Sequence, residues 1–318
     1  MKVVVAIDSF KGSMTSMQAG NACKEGILAA AHAHCGSGAA AAKDRKPAAD
    51  NMKVVVKPLA DGGEGTVEAL VEGMSGTYEY VPVTGPMGNP VKARYGILPD
   101  QTVVMEMAEA SGITLVKEPL NPWKAASTGV GEMILDAVQK GCRKFIIGIG
   151  GSATTEGGIG MLSALGYDFM DENGDILPPV FASLEKVVQI ENNRVPEVLK
   201  DCHFQIACDV TNPLCGAQGC VYVFGAQKGV KEEEKESMDR AMQSYAACLE
   251  KFTGKKLSEI PGTGAAGGLG FAFLWGLPNV ELKPGIDIVL EAVGLASELQ
   301  DADTVSYTHL RAHETPEH

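Results

Sequence analysis

The chain opens on an unbroken apolar run, Val3–Ile7, and a second one, Val54–Val56, follows a helical stretch. Runs without polar alternation predict strands buried on both faces, as in parallel sheets. Polar loops follow them, Asp8–Ser13 and Asp61–Gly65. Helices are expected over about 16–31 and 65–74, which gives a strand–loop–helix repeat. From Thr77 to Met107 the rhythm changes. Tyr78–Val83, Val91–Leu98 and Val103–Met107 are short strand-like runs separated by Pro, Gly and Asn turns, so they are expected to pair in sequence order. Alternation then resumes with a helix over 129–140 and strands at Phe145–Gly148 and Phe204–Ala207. A long helix is expected over 232–252, and shorter ones over 264–275 and 285–293. The pattern reads as an α/β fold.

Two segments stand outside this rhythm. Residues 33–51 are Ala-rich and low in complexity, and read as a flexible surface insertion. The final SYTHLRAHETPEH carries three of the six histidines and no apolar period, so no element is expected there.

A length of 318 residues suits two domains, and 45% apolar with 21% charged residues is the balance of a soluble globular protein. The formal net charge of −13 argues against nucleic acid or an anionic membrane as partner, since both reward a basic face. The start MKVVVAIDSF turns polar too soon for a signal peptide, and no apolar run is long enough to span a bilayer. The eight cysteines form no Cys-x-x-Cys pair and read as reduced thiols. A cytoplasmic location is therefore expected.

The polar loops carry the candidate chemistry. In FIIGIGGSATTEGGIGM (145–161) an apolar run feeds a glycine-rich loop that a helix is expected to follow. Bare backbone and hydroxyls before a helix can hold a phosphate. A tight packing turn is the other reading. The segment lacks the Gly-Lys-Ser/Thr of a Walker A loop. It fits a dinucleotide fingerprint only loosely, as Gly148-x-Gly150-x-x-Ala153, with Asp168 at about the distance of a ribose contact. Gly262–Gly268 leaves ligand contact and close helix packing equally open. Asp61 and Glu64 flank two glycines, and carboxylates there can hold Mg²⁺, orient a hydroxyl or act as base. Asp8 and Lys11 follow the first strand, and Asp209 and Asn212 follow the Phe204 strand. Only His203 lies in the body of the chain, which leaves Asp, Lys and backbone amides to do chemistry. Phosphoryl transfer to an alcohol suits that set, because it needs positioning and charge neutralisation more than a strong base.

Together DSFKGS (8–13), PLADGGEGT (58–66), EMAEASG (106–112), STGVGE (127–132), GIGGSATTEGG (148–158), CDVTNPLCG (208–216) and GTGAAGGLG (262–270) resemble the bacterial type I glycerate kinases, in the same order. The resemblance covers roughly residues 1–305. It implies phosphorylation of D-glycerate, dependent on ATP and Mg²⁺, with 2-phosphoglycerate the expected product and 3-phosphoglycerate the alternative. It also implies two α/β domains with the active site in their cleft. One is a Rossmann/flavodoxin-like parallel-sheet domain, placed at 1–76 plus about 283–305. The other has a mixed sheet and is placed at 77–282. Carried onto this chain, Asp8 and Lys11 would face the cleft. Asp61, Gly62, Gly63 and Glu64 would form a substrate or metal loop. Gly150, Gly151, Ser152, Thr154 and Thr155 would hold phosphate. Asp209 and Asn212 would position metal or the glycerate hydroxyl, with Asp209 or Asp61 as base. A homodimer is left open.

The chain departs from the family pattern at three places, of which the 33–51 insertion looks peripheral. Thr155-Glu156 stands where the family usually has Asn-Asp. From about residue 304 the sequence no longer follows the family, and 306–318 reads as a non-native tail. A truncated chain is expected, less stable and less active than a full-length relative. Two other functions compete with a kinase: a non-catalytic binder of a phosphorylated acid, and a nicotinamide-dependent oxidoreductase.

Overall fold

The computed structural model describes residues 1–10, 12–36, 52–117 and 119–308, with backbone alone for 34–36. Lys11, nearly all of the expected insertion and the last ten residues of the tail lie outside the described residues.

The two apolar runs form β1 (Lys2–Ile7) and β2 (Lys53–Pro58), with α1 (Ser16–Gly36) between them. Helix α1 starts where a capping box allows it: Gln18 N–H donates to Thr15 Oγ1, and Thr15 N–H donates to Gln18 Oε1, both at 3.1 Å. Next come α2 (Thr66–Gly73), the antiparallel strands β3 (Thr77–Thr84) and β4 (Pro90–Ile97), and β5 (Thr102–Glu106). The chain continues through α3 (Ala108–Ser111), α4 (Thr128–Gln139), β6 (Lys144–Gly148) and α5 (Ile159–Ala164). The hairpin β7 (Asp168–Met170) and β8 (Gln189–Glu191) precedes β9 (His203–Ala207), α6 (Cys220–Phe224) and α7 (Lys235–Thr253). The last elements are α8 (Ala265–Gly276), β10 (Val280–Lys283), α9 (Gly285–Ala292), α10 (Leu295–Leu299) and β11 (Thr304–Tyr307).

Two sheets result. One is parallel, in the order β11-β1-β2; the other is mixed and runs β10-β9-β6-β5-β4-β3. In the mixed sheet β10, β9, β6 and β5 are parallel, and β4 and β3 return antiparallel. The sequence-order pairing expected for residues 77–107 is present. The 232–252 helix begins later, at Lys235, after one 3₁₀ turn over Glu232–Glu234. Its buried stripe, Met238, Met242, Tyr245 and Leu249, has helical spacing.

Helices α2 and α9 lie between the sheets. Val67, Leu70 and Val71 of α2 and Ile288 and Val289 of α9 share a core with Val104 and Ile146 on one face of the mixed sheet. The opposite face carries the main core, where Phe145 and Phe204 stack at 4.8 Å. The parallel sheet has a small core of its own, in which Val3, Val5 and Ile7 meet Ala19 and Val54.

The expectation of no element from Ser306 onward is corrected. Residues 304–307 pair in parallel with Val3–Ala6 of β1. The side chains of β11 are exposed, so its apolar pattern is absent and backbone pairing alone makes the strand. The seven cysteines whose side chains are described are free thiols, and among the described residues no helix is long and apolar enough to cross a membrane.

Candidate active site

A cavity of about 330 Å³ opens at the carboxyl ends of β6 and β9, the edge where α/β sheets bind ligands. Gly62-Gly63, Gly150-Gly151-Ser152, Ala207–Val210, Lys228 and Ala265-Ala266 line it. Five segments far apart in sequence therefore converge on one space.

The Asp61–Gly65 loop reaches that space by close backbone contact. A Cβ on Gly148 would lie 2.4 Å from the Gly62 carbonyl oxygen, and one on Gly285 would lie 2.0 Å from the Asp61 carbonyl oxygen. Gly62 itself has φ +87°, a conformation that side chains disfavour. The loop is thus wedged between the end of β6 and the start of α9. It is also tied to the mixed sheet by Glu106, at the end of β5. The buried Glu106 Oε1 accepts N–H groups from Gly65 at 3.1 Å and Val67 at 3.0 Å. Burial pushes its carboxyl above the ordinary range, against the pull of those amides.

The glycine-rich loop divides into two parts with different jobs. The N–H groups of Gly150, Gly151 and Ser152 donate to no described residue, and Gly151 sits at φ +71°. Successive free amides with one residue in the left-handed region form an anion-binding concavity. The rear part is a packing turn. A Cβ on Gly157 would meet the Tyr245 ring at 2.8 Å, and one on Gly158 would meet Ala272 at 2.2 Å. The packing reading therefore holds for the rear half of the loop, while the front half presents open amides to the cavity. The helix that follows, α5, starts only at Ile159, so its N-terminus does not serve the cavity. Near that start, Glu156 takes the Ser127 N–H at 2.8 Å, the Ser127 hydroxyl and the Gly160 N–H. Glu156 is fully buried, and burial raises its pKa.

Asp209 follows β9. Its Oδ1 accepts the Gly285 N–H at 2.9 Å and so caps α9. Its second oxygen accepts from no described residue. Burial raises its pKa most, the Gly285 amide lowers it, and the charges of Asp61 and Asp287 raise it further. Asp61 thus lies within electrostatic reach of Asp209, while its Oδ1 accepts the Gly63 N–H at 2.9 Å. The open oxygen of Asp209, with the Asp61 carboxylate close by, suits a divalent cation that completes its shell with phosphate oxygens. Among the described residues no group of three acidic, His or Cys side chains is gathered for a metal.

Other expected residues lie elsewhere. Glu64 lines a separate shallow groove with Ser9, Phe10 and Thr15. Asp8, at the end of β1, accepts the Ser9 N–H at 2.7 Å and is not among the residues lining the cavity. Asn212 Nδ2 donates to the Gln218 carbonyl at 2.8 Å, which holds its own loop. Thr154 and Thr155 are fully buried, and their hydroxyls have no described partner. Asp168 is ion-paired with Arg194, beside the β7–β8 hairpin, which removes the ribose contact of the dinucleotide reading. His203 begins β9, at the opposite edge of the sheet. A larger cavity of about 770 Å³ lies at that edge, by Asp100, Lys144 and His203. It holds none of the glycine loops.

Lys228 escaped the sequence reading. It lies in FGAQKGV (224–230), a segment with no recognisable chemical motif, and it reaches the site only through folding.

Comparison with known proteins points in one direction. The family model described as "Glycerate kinase family" matches residues 3–308, beyond the expected break at about 304. A Bacillus subtilis protein named glycerate kinase is 41% identical over 307 residues, covering 96% of this chain and 75% of its own length. An Escherichia coli protein named glycerate 2-kinase is 39% identical, with 96% and 76% covered. A solved structure from Salmonella typhimurium LT2, provisionally named glycerate kinase 2, superposes with a TM-score of 0.88 at 38% identity. That match covers 96% of this chain and 78% of the other.

Proposed function

Because the chain belongs to the glycerate kinase family, we propose that it moves the γ-phosphoryl group of ATP onto the 2-hydroxyl of D-glycerate. The observation that carries this reading is the pairing of the free Gly150–Ser152 amides with the open oxygen of Asp209 across one cavity. The amides suit phosphate oxygens, and the carboxylate suits a hydroxyl proton. In the transfer, a bond forms between glycerate O2 and the γ-phosphorus, and the bond to the leaving oxygen of ADP breaks. The hydroxyl proton passes to Asp209. Asp61 is the other candidate base, but Asp209 lines the cavity and Asp61 does not. Gly62 and Gly63 present backbone to the acceptor. Mg²⁺, held by Asp209 with Asp61 nearby, would neutralise phosphate charge.

The name of the Escherichia coli relative supports the 2-hydroxyl as acceptor. We further propose the domain division 1–76 plus about 283–305 and 77–282, with α2 and α9 as the layer shared between the sheets.

Phosphorus-31 NMR of the chain with MgATP and D-glycerate tests the reaction. A new monoester signal together with ADP is expected, coupled to a single proton for 2-phosphoglycerate. Coupling to two protons would assign the 3-hydroxyl instead, and no monoester with the folded chain would refute the reaction.

A further inference from the structure

One charged side chain in the cavity has no part in the transfer just described. Lys228 ends a one-turn 3₁₀ helix, Ala226–Lys228, and is only 2% exposed. The next residue, Gly229, has φ +93°, and a Cβ there would meet Leu120 at 2.9 Å. The segment is therefore fixed in place. Lys228 Nζ donates to Ser152 Oγ at 2.5 Å and to the Thr154 carbonyl oxygen at 2.6 Å. An ammonium has three N–H donors. The third has no partner among the described residues.

Lys228 forms no ion pair among the described residues. Glu156 lies close enough to act on it electrostatically, but that carboxylate accepts from Ser127 and Gly160 instead. A buried cation without a directly bonded anion is expensive. Lys228 is also the one cationic side chain among the described residues lining the cavity. Its neighbours there are the free amides of Gly150–Ser152, which likewise seek negative charge.

We propose that Lys228 is a catalytic residue whose third N–H bonds the transferred phosphoryl group, while its other two lock the amide loop in its anion-binding shape. The assignment rests on the nucleotide reading of this cavity. In the transfer, negative charge is spread over the three non-bridging oxygens of the passing phosphoryl group and builds on the leaving oxygen of ADP, and a fixed cation beside them stabilises that state without reorganising. A flexible surface lysine would have to be ordered first.

Burial pulls the Lys228 pKa down to about 8, offset in part by Cys220 and Glu156. Tyr245 sits beside Glu156, and Asp209 lines the same cavity. An arriving phosphoryl group favours the protonated ammonium and so raises its pKa. Binding near pH 8 must then draw a proton from solution.

Calorimetric titration with MgATP near pH 8, in two buffers of different ionisation enthalpy, reads that proton directly. The wild-type chain should take up about half a proton more than K228M or K228Q. Turnover of either variant should fall about 100-fold to 1,000-fold in kcat, with the thermal midpoint retained. Two isosteric substitutions guard against a folding defect in one of them. Wild-type binding with no uptake beyond that of the variants would overturn the assignment and leave the kinase reading standing. Failure of the folded wild-type chain to bind MgATP would overturn the nucleotide reading, and this assignment with it.

Discussion

Asp209 divides its two oxygens between structure and chemistry. One caps α9 through Gly285 and the other is uncommitted at the cavity. Asp209→Asn keeps an oxygen that can accept the Gly285 N–H, so stability should change little. In the proposed transfer it removes the base, and kcat should fall about 100-fold to 10,000-fold. Coupled ADP-release assays beside thermal melts would check both halves, and a variant with near-normal kcat would shift the base to Asp61. Glu156 is the opposite case, a carboxyl used for structure alone. Burial raises its folded pKa, so the folded state holds that proton more tightly than the unfolded chain does. Its contribution to stability is therefore largest at low pH and declines as pH rises from the ordinary carboxyl value to the raised one. Glu156→Gln removes that decline. As pH rises above the ordinary carboxyl value, the thermal midpoint of the variant should gain steadily on that of the wild type. Parallel curves would show that the buried carboxyl does not carry the effect.

At the level of elements, the site depends on how closely loops approach one another. Gly148 ends β6 against the Gly62 carbonyl, with space for no side chain. Gly148→Ala must push the Asp61–Gly65 loop away from the cavity. A loss of about 1–3 kcal/mol in folding stability is expected, with a marked drop in turnover. Gly141 offers a contrast: it has φ +93°, but nothing lies within 4 Å of where its Cβ would stand. Gly141→Ala should carry only the backbone strain, with turnover unchanged. Equal turnover in the two variants would argue against crowding at Gly148 as the controlling factor.

Across the whole molecule, Glu106 joins the mixed sheet to the loop and helix that follow β2. Glu106→Ala would strand the Gly65 and Val67 N–H groups without acceptors. Denaturant unfolding should show a loss of about 2–4 kcal/mol, and turnover should fall because the loop lines the cavity. Glu106→Gln keeps an acceptor and should lose less. A stable, fully active Ala variant would mean that the two sheets are held in register by α2 and α9 alone.

The order of residue types was enough to set the local elements. Unbroken apolar runs such as Val3–Ile7 and Phe145–Gly148 could only be buried strands, and the stripe Met238–Met242–Tyr245–Leu249 could only be one helix face. Seven ordered loops also announced the family, because each carries residue types that its own turn or ligand demands. Strand β11 was not legible, since its side chains are exposed and its pairing with β1 is made by backbone that every residue shares. The same limit hid the division of the glycine-rich loop. Whether a glycine faces a ligand or a neighbouring ring depends on what packs against it, and Tyr245 and Ala272 arrive from helices about a hundred residues downstream. Lys228 was hidden for that reason too. A lysine between Gln and Gly is an ordinary surface residue until folding buries it under Ser152 and Thr154. Which carboxylates and cations share the cavity was left to the folded chain, because proximity across the sequence is a property of packing and leaves no local periodicity to read.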